Sequence, residues 1–271
     1  MGEAHTDGIA RESVRADFEV GEGDDRRRIA VLHRPGATPD LVWLGGYRSD
    51  MAGTKAEALD QWAGRTGHGM LRYDYSGHGQ SGGDFLDGTL SRWLAESEAA
   101  IDRFVKRPPV LIGSSMGGFL TLLLALKRFA AGTPVAGIVL LAPAVDMTER
   151  LMWDEFPEAV RDEIMEKGVY IEPSQYDPAG NPITRALIED GRRHLLLDRP
   201  DLQFGCPVHI LHGRADPDVP LALSLELVSR LVHDDVSMSI VHDGDHRLSR
   251  EEDIDLLVRV VAEMVARVGA D

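Results

Sequence analysis

Apolar segments along the chain alternate with amphipathic ones, which is the pattern of strands separated by helices. The predicted strands cover residues 13–20, 26–34, 41–46, 69–75, 108–113, 135–144, 207–213 and 236–242. Helical spacing covers residues 54–67, 89–105, 115–131, 221–233 and 248–268. Strands that are apolar on both faces, with helices between them, indicate a mostly parallel sheet covered on both sides. The first two strands are joined by the turn-rich link GEGDD and are expected to form a hairpin.

The alternation stops between residues 146 and 204. Two acidic amphipathic stretches flank a Pro/Gly/Tyr-rich piece there, and no long apolar strand is visible. We predict an α/β fold with eight strands, helices on both faces of the sheet, and a helical insertion over 146–204, here named the lid segment. The insertion is expected at the carboxyl edge of the sheet, where such folds place their sites. Residues 13–271 form one domain in this prediction, preceded by a loose tail over 1–12.

Charge and composition narrow the function classes. The formal net charge is −16, which opposes binding to phosphate backbones and anionic lipid surfaces. Cys206 is the one cysteine, so no internal disulfide is possible and a reducing compartment fits. The polar start has no apolar core of a signal peptide, and the apolar run over 135–145 is too short to span a membrane. These features predict a soluble cytoplasmic protein that does not bind nucleic acid.

The stretch GSSMGG contains a candidate nucleophile. A serine hydroxyl becomes reactive on a sharp turn between a strand and a helix, where glycines two residues before and after let the neighbouring chain pass closely. Gly113 and Gly117 bracket Ser115 in this way, whereas Ser114 would be bracketed by Ile112 and Met116. Because a buried strand precedes the motif and a long helix follows it, Ser115 is the predicted nucleophile.

An acid and a histidine follow in the order that such a serine requires. Asp216 lies after one predicted strand and His246 after the next, so both can converge on Ser115. Asp218 is an alternative acid that could instead cap the following helix. Asp243 and Asp245 crowd the histidine but are expected to shape its loop.

Two backbone amides are needed to bind an oxyanion. Met116, directly after the nucleophile, is one predicted donor. Tyr47, in the glycine-rich turn after the third strand, is the other, with Arg48 as second choice. Neither metal-ligand spacing nor a phosphate-binding loop is apparent, so no metal and no organic cofactor is expected.

Taken together, the motifs GGY, DYSGHGQS, GSSMGG, HGRADPDVP and GDHR resemble the α/β-hydrolase superfamily over nearly the whole chain from about Leu41. The resemblance implies that Ser115, Asp216 and His246 form a catalytic triad, and that Asp74 and Ser81 are scaffold. GYRSDMAGTKA and MEKGVYIEPSQYD are similar to a mitochondrial branch of the family. Its enzyme removes palmitoyl groups from proteins and cleaves acyl glucuronides. This chain lacks the Arg/Ser-rich leader of a mitochondrial member, which again favours the cytoplasm.

The resemblance implies a serine esterase or thioesterase whose lid segment selects a small acyl ester, an acyl thioester or an acylated protein. Trp153, Phe156 and Tyr170 are the predicted substrate-binding residues. Other apolar residues that could line an acyl pocket, instead of packing the lid onto the core, are Met147, Leu151, Met152, Ile164 and Met165. Candidate partners for a substrate carboxylate are Arg48, Arg185, Arg192, Arg193 and His194.

Two other readings stay open on the sequence. One is a different chemistry on the same three residues, that of a general carboxylesterase, a lipase or a peptidase. The other is a silent hydrolase fold that serves as a binding module, against which the intact order of serine, acid and histidine argues.

Overall fold

The structure is a computed structural model that describes residues 12–174 and 178–269. The strands are β1 (Val14–Val20), β2 (Arg27–Arg34), β3 (Ala37–Leu44), β4 (His68–Tyr73), β5 (Val110–Ser114), β6 (Gly137–Leu141), β7 (Val169–Glu172), β8 (Asn181–Thr184), β9 (Val208–Gly213) and β10 (Val236–Val241). The α-helices are α1 (Thr54–Thr66), α2 (Leu90–Phe104), α3 (Met116–Ala130), α4 (Glu158–Lys167), α5 (Arg185–Gly191), α6 (Leu221–Arg230) and α7 (Glu251–Val268).

Eight of the strands form one sheet in the order β1-β2-β4-β3-β5-β6-β9-β10. β1 and β2 pair antiparallel, which confirms the predicted hairpin, and β2 also pairs antiparallel with β4. From β4 to β10 all the pairings are parallel. The carboxyl ends of these parallel strands therefore meet at one edge, which confirms the predicted mostly parallel eight-stranded sheet.

Helices cover both faces because both faces of the central strands are apolar. One core contains α2, α3 and α6 side chains such as Trp93, Phe119 and Leu227, each fully buried. The opposite core contains α1 and α7 side chains such as Leu59 and Leu257, also fully buried. Side chains of this size each gain roughly 1.5–3 kcal/mol on burial, so the two cores hold the sheet edge rigidly.

The lid segment connects β6 to β9. It contains a π-helical turn over Thr148–Trp153, the helices α4 and α5, and an antiparallel hairpin of β7 and β8. The Asp146 carboxylate accepts hydrogen bonds from the amides of Leu196 and Leu197, at 2.8 and 2.9 Å, and so joins the start of the segment to its end. The prediction of a helical lid segment did not include this hairpin.

Two segments discussed in the sequence analysis lie wholly or partly outside the residues that the structure describes. The tail predicted over residues 1–12 lies outside the described residues except for Glu12, as do residues 175–177 of the Pro/Gly/Tyr-rich piece. Within the described ranges, no helix combines the length and the apolar character needed to cross a membrane.

Candidate active site

Ser115 occupies a strained turn between β5 and α3. Its φ of 55° and ψ of −120° lie in a region that non-glycine residues rarely adopt. Backbone hydrogen bonds hold it there: the Ser115 amide donates to Leu141 at 2.9 Å, and its carbonyl accepts from Gly118 and Ala144 at 2.9 and 3.1 Å. The turn lifts the Ser115 hydroxyl above the carboxyl edge of the sheet.

The glycines on each side of the turn are required by close backbone contacts. A Cβ at Gly113 would lie 2.3 Å from the Gly117 carbonyl oxygen, and one at Gly117 would lie 2.1 Å from the Leu44 carbonyl oxygen. Neither gap admits a side chain. The spacing that singled out Ser115 in the sequence therefore has a steric basis in the close packing of α3 against β5 and against the end of β3.

Asp216 lies in the loop after β9, with its side chain only 1% exposed. Its Oδ1 accepts hydrogen bonds from the amides of Asp218 and Val219, both at 2.8 Å. Its Oδ2 accepts from His246. Burial raises the pKa of Asp216, but these hydrogen bonds outweigh burial, so that the pKa lies below its ordinary value. The carboxyl group is thus held as the charged form.

His246 lies in the loop after β10 and joins the other two side chains. Its Nδ1 is 2.8 Å from Asp216 Oδ2, and its Nε2 is 3.0 Å from Ser115 Oγ. The tautomer that fits donates from Nδ1 to the carboxylate and accepts at Nε2 from the serine hydroxyl. Asp245 supports this loop by accepting hydrogen bonds from the amides of Arg247 and Leu248, each at 3.0 Å.

A second histidine and a second acid near the site, His212 and Asp243, have other partners. His212 is fully buried behind the acid loop, with Nδ1 2.8 Å from Ser224 Oγ and Nε2 3.0 Å from the Val219 carbonyl oxygen. Asp243 is outside the site and accepts a hydrogen bond from Arg250 at 2.7 Å. The structure therefore brings together the three residues predicted from the sequence. Of the rivals, His212 and Asp243 have other partners, and Asp218 lies at the edge of the cavity while its amide donates to Asp216.

The turn after β3 lies against the nucleophile. A Cβ at Gly46 would be 3.4 Å from the Ser115 Cβ, so the backbone of this turn passes directly beside the serine. Within the described residues, the amides of Tyr47 and Met116 donate to no protein acceptor. The Arg48 amide, in contrast, donates to His78 Nε2 at 3.2 Å. The amides of the two predicted donors, Tyr47 and Met116, are thus not used within the part of the chain that the structure describes, whereas that of Arg48, the second choice from the sequence, is engaged.

A cavity of about 1060 Å³ opens above Ser115 and His246. Part of its lining is apolar and comes from the lid segment, at Met147, Leu151 and Met152. The rest is largely polar. Its charged residues, which come from several separate elements and loops, are Arg48, Asp50, Lys55, Arg150, Glu155, Glu172, Asp218 and Arg247. The cavity thus combines an apolar wall with charged groups of both signs.

The three residues predicted to bind substrate do not line this cavity. Trp153 stacks under Arg192, whose Cζ is 4.6 Å from the ring centroid. Phe156 is 8% exposed and packs edge-on against Tyr170, with ring centroids 5.9 Å apart. These aromatic rings stabilise the lid segment internally, and the shorter Met147, Leu151 and Met152 form the apolar wall instead.

Most of the cations predicted for a carboxylate also lie elsewhere. Arg192 donates to Glu149 at 2.8 Å, Arg185 to Glu189 at 2.7 Å, and His194 Nε2 is 2.7 Å from Ser91 Oγ. Arg193 lies 3.5 Å from Asp190. Of the predicted set, Arg48 lines the cavity.

Sequence reasoning missed Lys55 and Arg247, which also line the cavity. Lys55 lies in the first turn of α1 and donates to the Arg247 carbonyl oxygen. Burial, and next the charge of Arg247, lower the pKa of Lys55 to about 8. Their positions in the sequence could have indicated this, since Arg247 adjoins His246 and Lys55 follows the turn after β3.

Asp216, Asp218 and His246 offer metal-ligand atoms that all lie within 4.8 Å of one another. Both oxygens of Asp216 already accept hydrogen bonds, and His246 Nε2 is directed at Ser115. The donor set therefore fits proton transfer to and from a serine hydroxyl better than it fits an ion.

The chain is similar to several known proteins. Residues 30–260 match the alpha/beta hydrolase family. The chain is 32% identical over 275 residues to the cattle protein named palmitoyl-protein thioesterase ABHD10, mitochondrial, covering 96% of this chain and 88% of that protein. A solved structure of a putative hydrolase from Agrobacterium vitis is 47% identical with a TM-score of 0.91, covering 94% of this chain and all of that one. Mouse alpha/beta hydrolase domain-containing protein 10 is 30% identical with a TM-score of 0.83, covering 93% and 99%.

The chain therefore belongs to the alpha/beta hydrolase family. Within that family it is a hydrolase of the ester or thioester type, similar to the ABHD10 proteins. The predicted cytoplasmic location is contradicted, because the curated relatives from cattle, orangutan, human, mouse and rat are all named mitochondrial.

Proposed function

We propose that the protein is a serine hydrolase that cleaves acyl thioesters or esters through an acyl-enzyme on Ser115. The observation that carries the proposal is the continuous chain of hydrogen bonds from Asp216 through His246 to Ser115, at 2.8 and 3.0 Å. Such a chain lets a histidine remove the serine proton while the carboxylate stabilises the imidazolium that forms.

The reaction follows from this arrangement. Ser115 Oγ attacks the substrate carbonyl carbon as its proton passes to His246 Nε2. The tetrahedral intermediate collapses, and His246 returns the proton to the departing thiol or alcohol. Water, deprotonated by the same nitrogen, then attacks the acyl-enzyme. The second tetrahedral intermediate collapses, His246 returns the proton to Ser115 Oγ, and the carboxylic acid is released. Asp216 stays ionised throughout, in keeping with its lowered pKa.

The negative charge on the substrate oxygen needs donors that are fixed in advance. The Met116 amide at the start of α3 and the Tyr47 amide beside Ser115 supply them in this proposal, aided by the positive end of the helix dipole. Losing one such donor costs on the order of 10²–10³ in kcat in other hydrolases.

Acyl thioesters are the first substrate class that we propose. The named activity of the ABHD10 relatives, removal of palmitoyl groups from proteins, supports this choice, as does the apolar wall of the cavity. A cavity of about 1060 Å³ is at the upper end of the range for drug-sized ligands, so it can accommodate a long acyl chain and part of a leaving group.

The charged lining favours a second candidate, an ester whose leaving group carries an anion, such as an acyl glucuronide. Arg48, Lys55, Arg150 and Arg247 all border the cavity and could pair with a carboxylate. The two candidates share the acyl-enzyme and differ in what departs from it.

The test combines nucleophile variants with a substrate series. Ser115→Ala should lower kcat by roughly 10³–10⁶ and abolish labelling by a fluorophosphonate, whereas Ser114→Ala should keep both activity and labelling. The substrates are acyl thioesters from acetyl to palmitoyl beside one acyl glucuronide. A folded wild-type protein that neither labels nor hydrolyses any of them would be a silent binding module. Preference for acetyl esters alone would leave a general carboxylesterase.

A further inference from the structure

The turn that carries the Tyr47 amide is strained. Gly46 and Ser49 close it with a hydrogen bond of 3.1 Å from the Ser49 amide to the Gly46 carbonyl oxygen. Arg48, in the third position, has a φ of 57°. A positive φ at this position is the mark of a type II turn and normally calls for glycine or asparagine, so an arginine there must be held by its surroundings.

The orientation of one peptide group decides the type of this turn. Type I and type II turns differ by a flip of the central peptide, here the one that joins Tyr47 to Arg48. In the observed state the Arg48 N–H of that peptide donates to His78 Nε2 at 3.2 Å. A flip would replace this donor by the Tyr47 carbonyl oxygen, which cannot bond to an unprotonated nitrogen. The Tyr47 N–H belongs to the preceding Gly46–Tyr47 peptide, so the anchor at Arg48 acts on the position of that amide and not on its direction.

The surroundings of His78 leave its Nε2 as a hydrogen-bond acceptor. Its Nδ1 lies 3.2 Å from the Ser76 carbonyl oxygen, and that contact requires a proton on Nδ1 and leaves Nε2 without one. The side chain is 4% exposed. Burial lowers the pKa of His78 to about 4, so the ring is neutral near pH 7.

Packing fixes where the acceptor lies. The His78 ring is surrounded by Phe85, Trp93 and Tyr75, with ring centroids 5.0, 5.3 and 5.5 Å away. The Asp74 carboxylate, in the same loop as His78, accepts the amide of Met51 at 2.7 Å and so ties this loop to the chain just beyond the turn. The acceptor and the turn are therefore held in one rigid frame.

We propose that His78 is a positioning residue, which anchors the turn of residues 46–49 through the Arg48 amide and thereby fixes the position of the neighbouring Tyr47 amide beside Ser115. The inference rests on the proposed function, since it assigns a role within the oxyanion site. His78 does not line the cavity above Ser115, so it would act on oxyanion binding only through the turn.

Three variants test the role of the acceptor. His78→Leu removes it, and His78→Gln places a carbonyl oxygen near the position of Nε2. His78→Asn carries the same amide group on a shorter side chain that cannot reach. Each is assayed with a p-nitrophenyl ester for kcat and KM. Each is also assayed for binding of an alkyl trifluoromethyl ketone, which forms an oxyanion on the serine, against the matching methyl ketone, which does not.

His78→Leu and His78→Asn should lower kcat and the affinity for the trifluoromethyl ketone by roughly 30- to 100-fold, somewhat below the loss of a whole donor. KM and methyl ketone binding should change less than about threefold, and His78→Gln should recover most of the loss. If His78→Leu fails to fold, the comparison of His78→Gln with His78→Asn decides. The proposal is overturned if folded His78→Asn binds the trifluoromethyl ketone as wild type does, or if His78→Gln is as impaired as His78→Asn.

Ser115→Ala in the same assays distinguishes a failure of the proposed function from a failure of the role assigned to His78. If Ser115→Ala still hydrolyses the ester, the proposed function fails whatever the His78 variants do. If Ser115→Ala is inactive and the His78 variants are normal, the serine chemistry stands and the role of His78 is refuted.

Discussion

The carboxyl edge of the main sheet and the lid segment meet at the same cavity, yet they are built differently. At the sheet edge, Ser115, Asp216 and His246 each follow a strand whose position is fixed by pairing with its neighbours. The lid segment consists of two short helices, a π-helical turn and a hairpin of two four-residue strands, and its Phe156 and Tyr170 rings pack against each other. Backbone geometry determines which residues face the substrate in the first region, and side-chain packing determines it in the second.

This difference predicts which substitutions do what. Changes at the sheet edge should alter the chemical step for every substrate, because they displace groups that act on the shared carbonyl. Changes in the lid segment should alter the ranking of substrates and leave the chemistry of the best one nearly intact.

The largest effect is expected at Asp216. Asp216→Asn keeps the shape of the side chain but turns an amide NH₂ group toward His246 Nδ1, which then lacks a hydrogen-bond acceptor. We therefore expect kcat to fall by about 10⁴ with folding unchanged. Asp243→Asn, an acid in the loop of His246 whose partner is Arg250, is the matched control and should keep its activity. Rates with a p-nitrophenyl ester and far-UV circular dichroism measure both. An active Asp216→Asn beside an inactive Asp218→Asn would move the acid to the alternative position.

The second effect concerns the free energy of unfolding and arises at His78, which supports the loops at the sheet edge. An unfolded histidine takes up a proton near pH 6.5, whereas burial keeps folded His78 neutral down to about pH 4. The unfolded state therefore binds more protons between these values, and the free energy of unfolding should fall by about 3 kcal/mol as the pH drops through this window. Below about pH 4 this contribution levels off.

His78→Gln has no proton to take up and isolates that contribution. Urea denaturation at about pH 7 and about pH 4 should show a loss of unfolding free energy in wild type that exceeds the loss in the variant by about 3 kcal/mol. All other titrating groups are common to both proteins and cancel in the difference. Equal losses would mean that His78 is not held neutral, and would weaken the argument that it accepts the Arg48 amide.

The sheet edge could be predicted from sequence because its signals are local and steric. Gly113 and Gly117 are required because an added Cβ would lie 2.3 and 2.1 Å from backbone carbonyl oxygens. A strand buried on both faces is recognisable in the sequence as an apolar run. The order of serine, acid and histidine along the chain then follows from the order of the parallel strands. His78 was missed as a functional candidate, since its role depends on a hydrogen bond to a residue 30 positions away.

The lid segment was less predictable for two physical reasons. The π-helical turn over Thr148–Trp153 adds a residue to the turn, so that 3.6-residue periodicity assigns faces wrongly, and Trp153 turns away from the cavity while Leu151 and Met152 line it. The hairpin consists of two four-residue strands, one of which contains Pro182, and so lacks a recognisable alternation. Which side of the lid segment faces the serine is decided by how its pieces dock.

The smallest effect is expected in the lid segment, and it tests the comparison most directly. Leu151 lines the cavity, so Leu151→Ala should remove contacts with two or three CH₂ groups of a long acyl chain, at about 0.8 kcal/mol each. Allowing for partial contact, kcat/KM for palmitoyl thioesters should fall roughly tenfold, and that for acetyl thioesters less than about twofold. Trp153→Ala is the matched control, because Trp153 is larger but stacks under Arg192 outside the cavity, and it should leave the chain-length profile in place. Should Trp153→Ala shift the profile and Leu151→Ala not, the aromatic residues predicted from the sequence would regain their substrate-binding role, and the apolar wall would have to be redrawn.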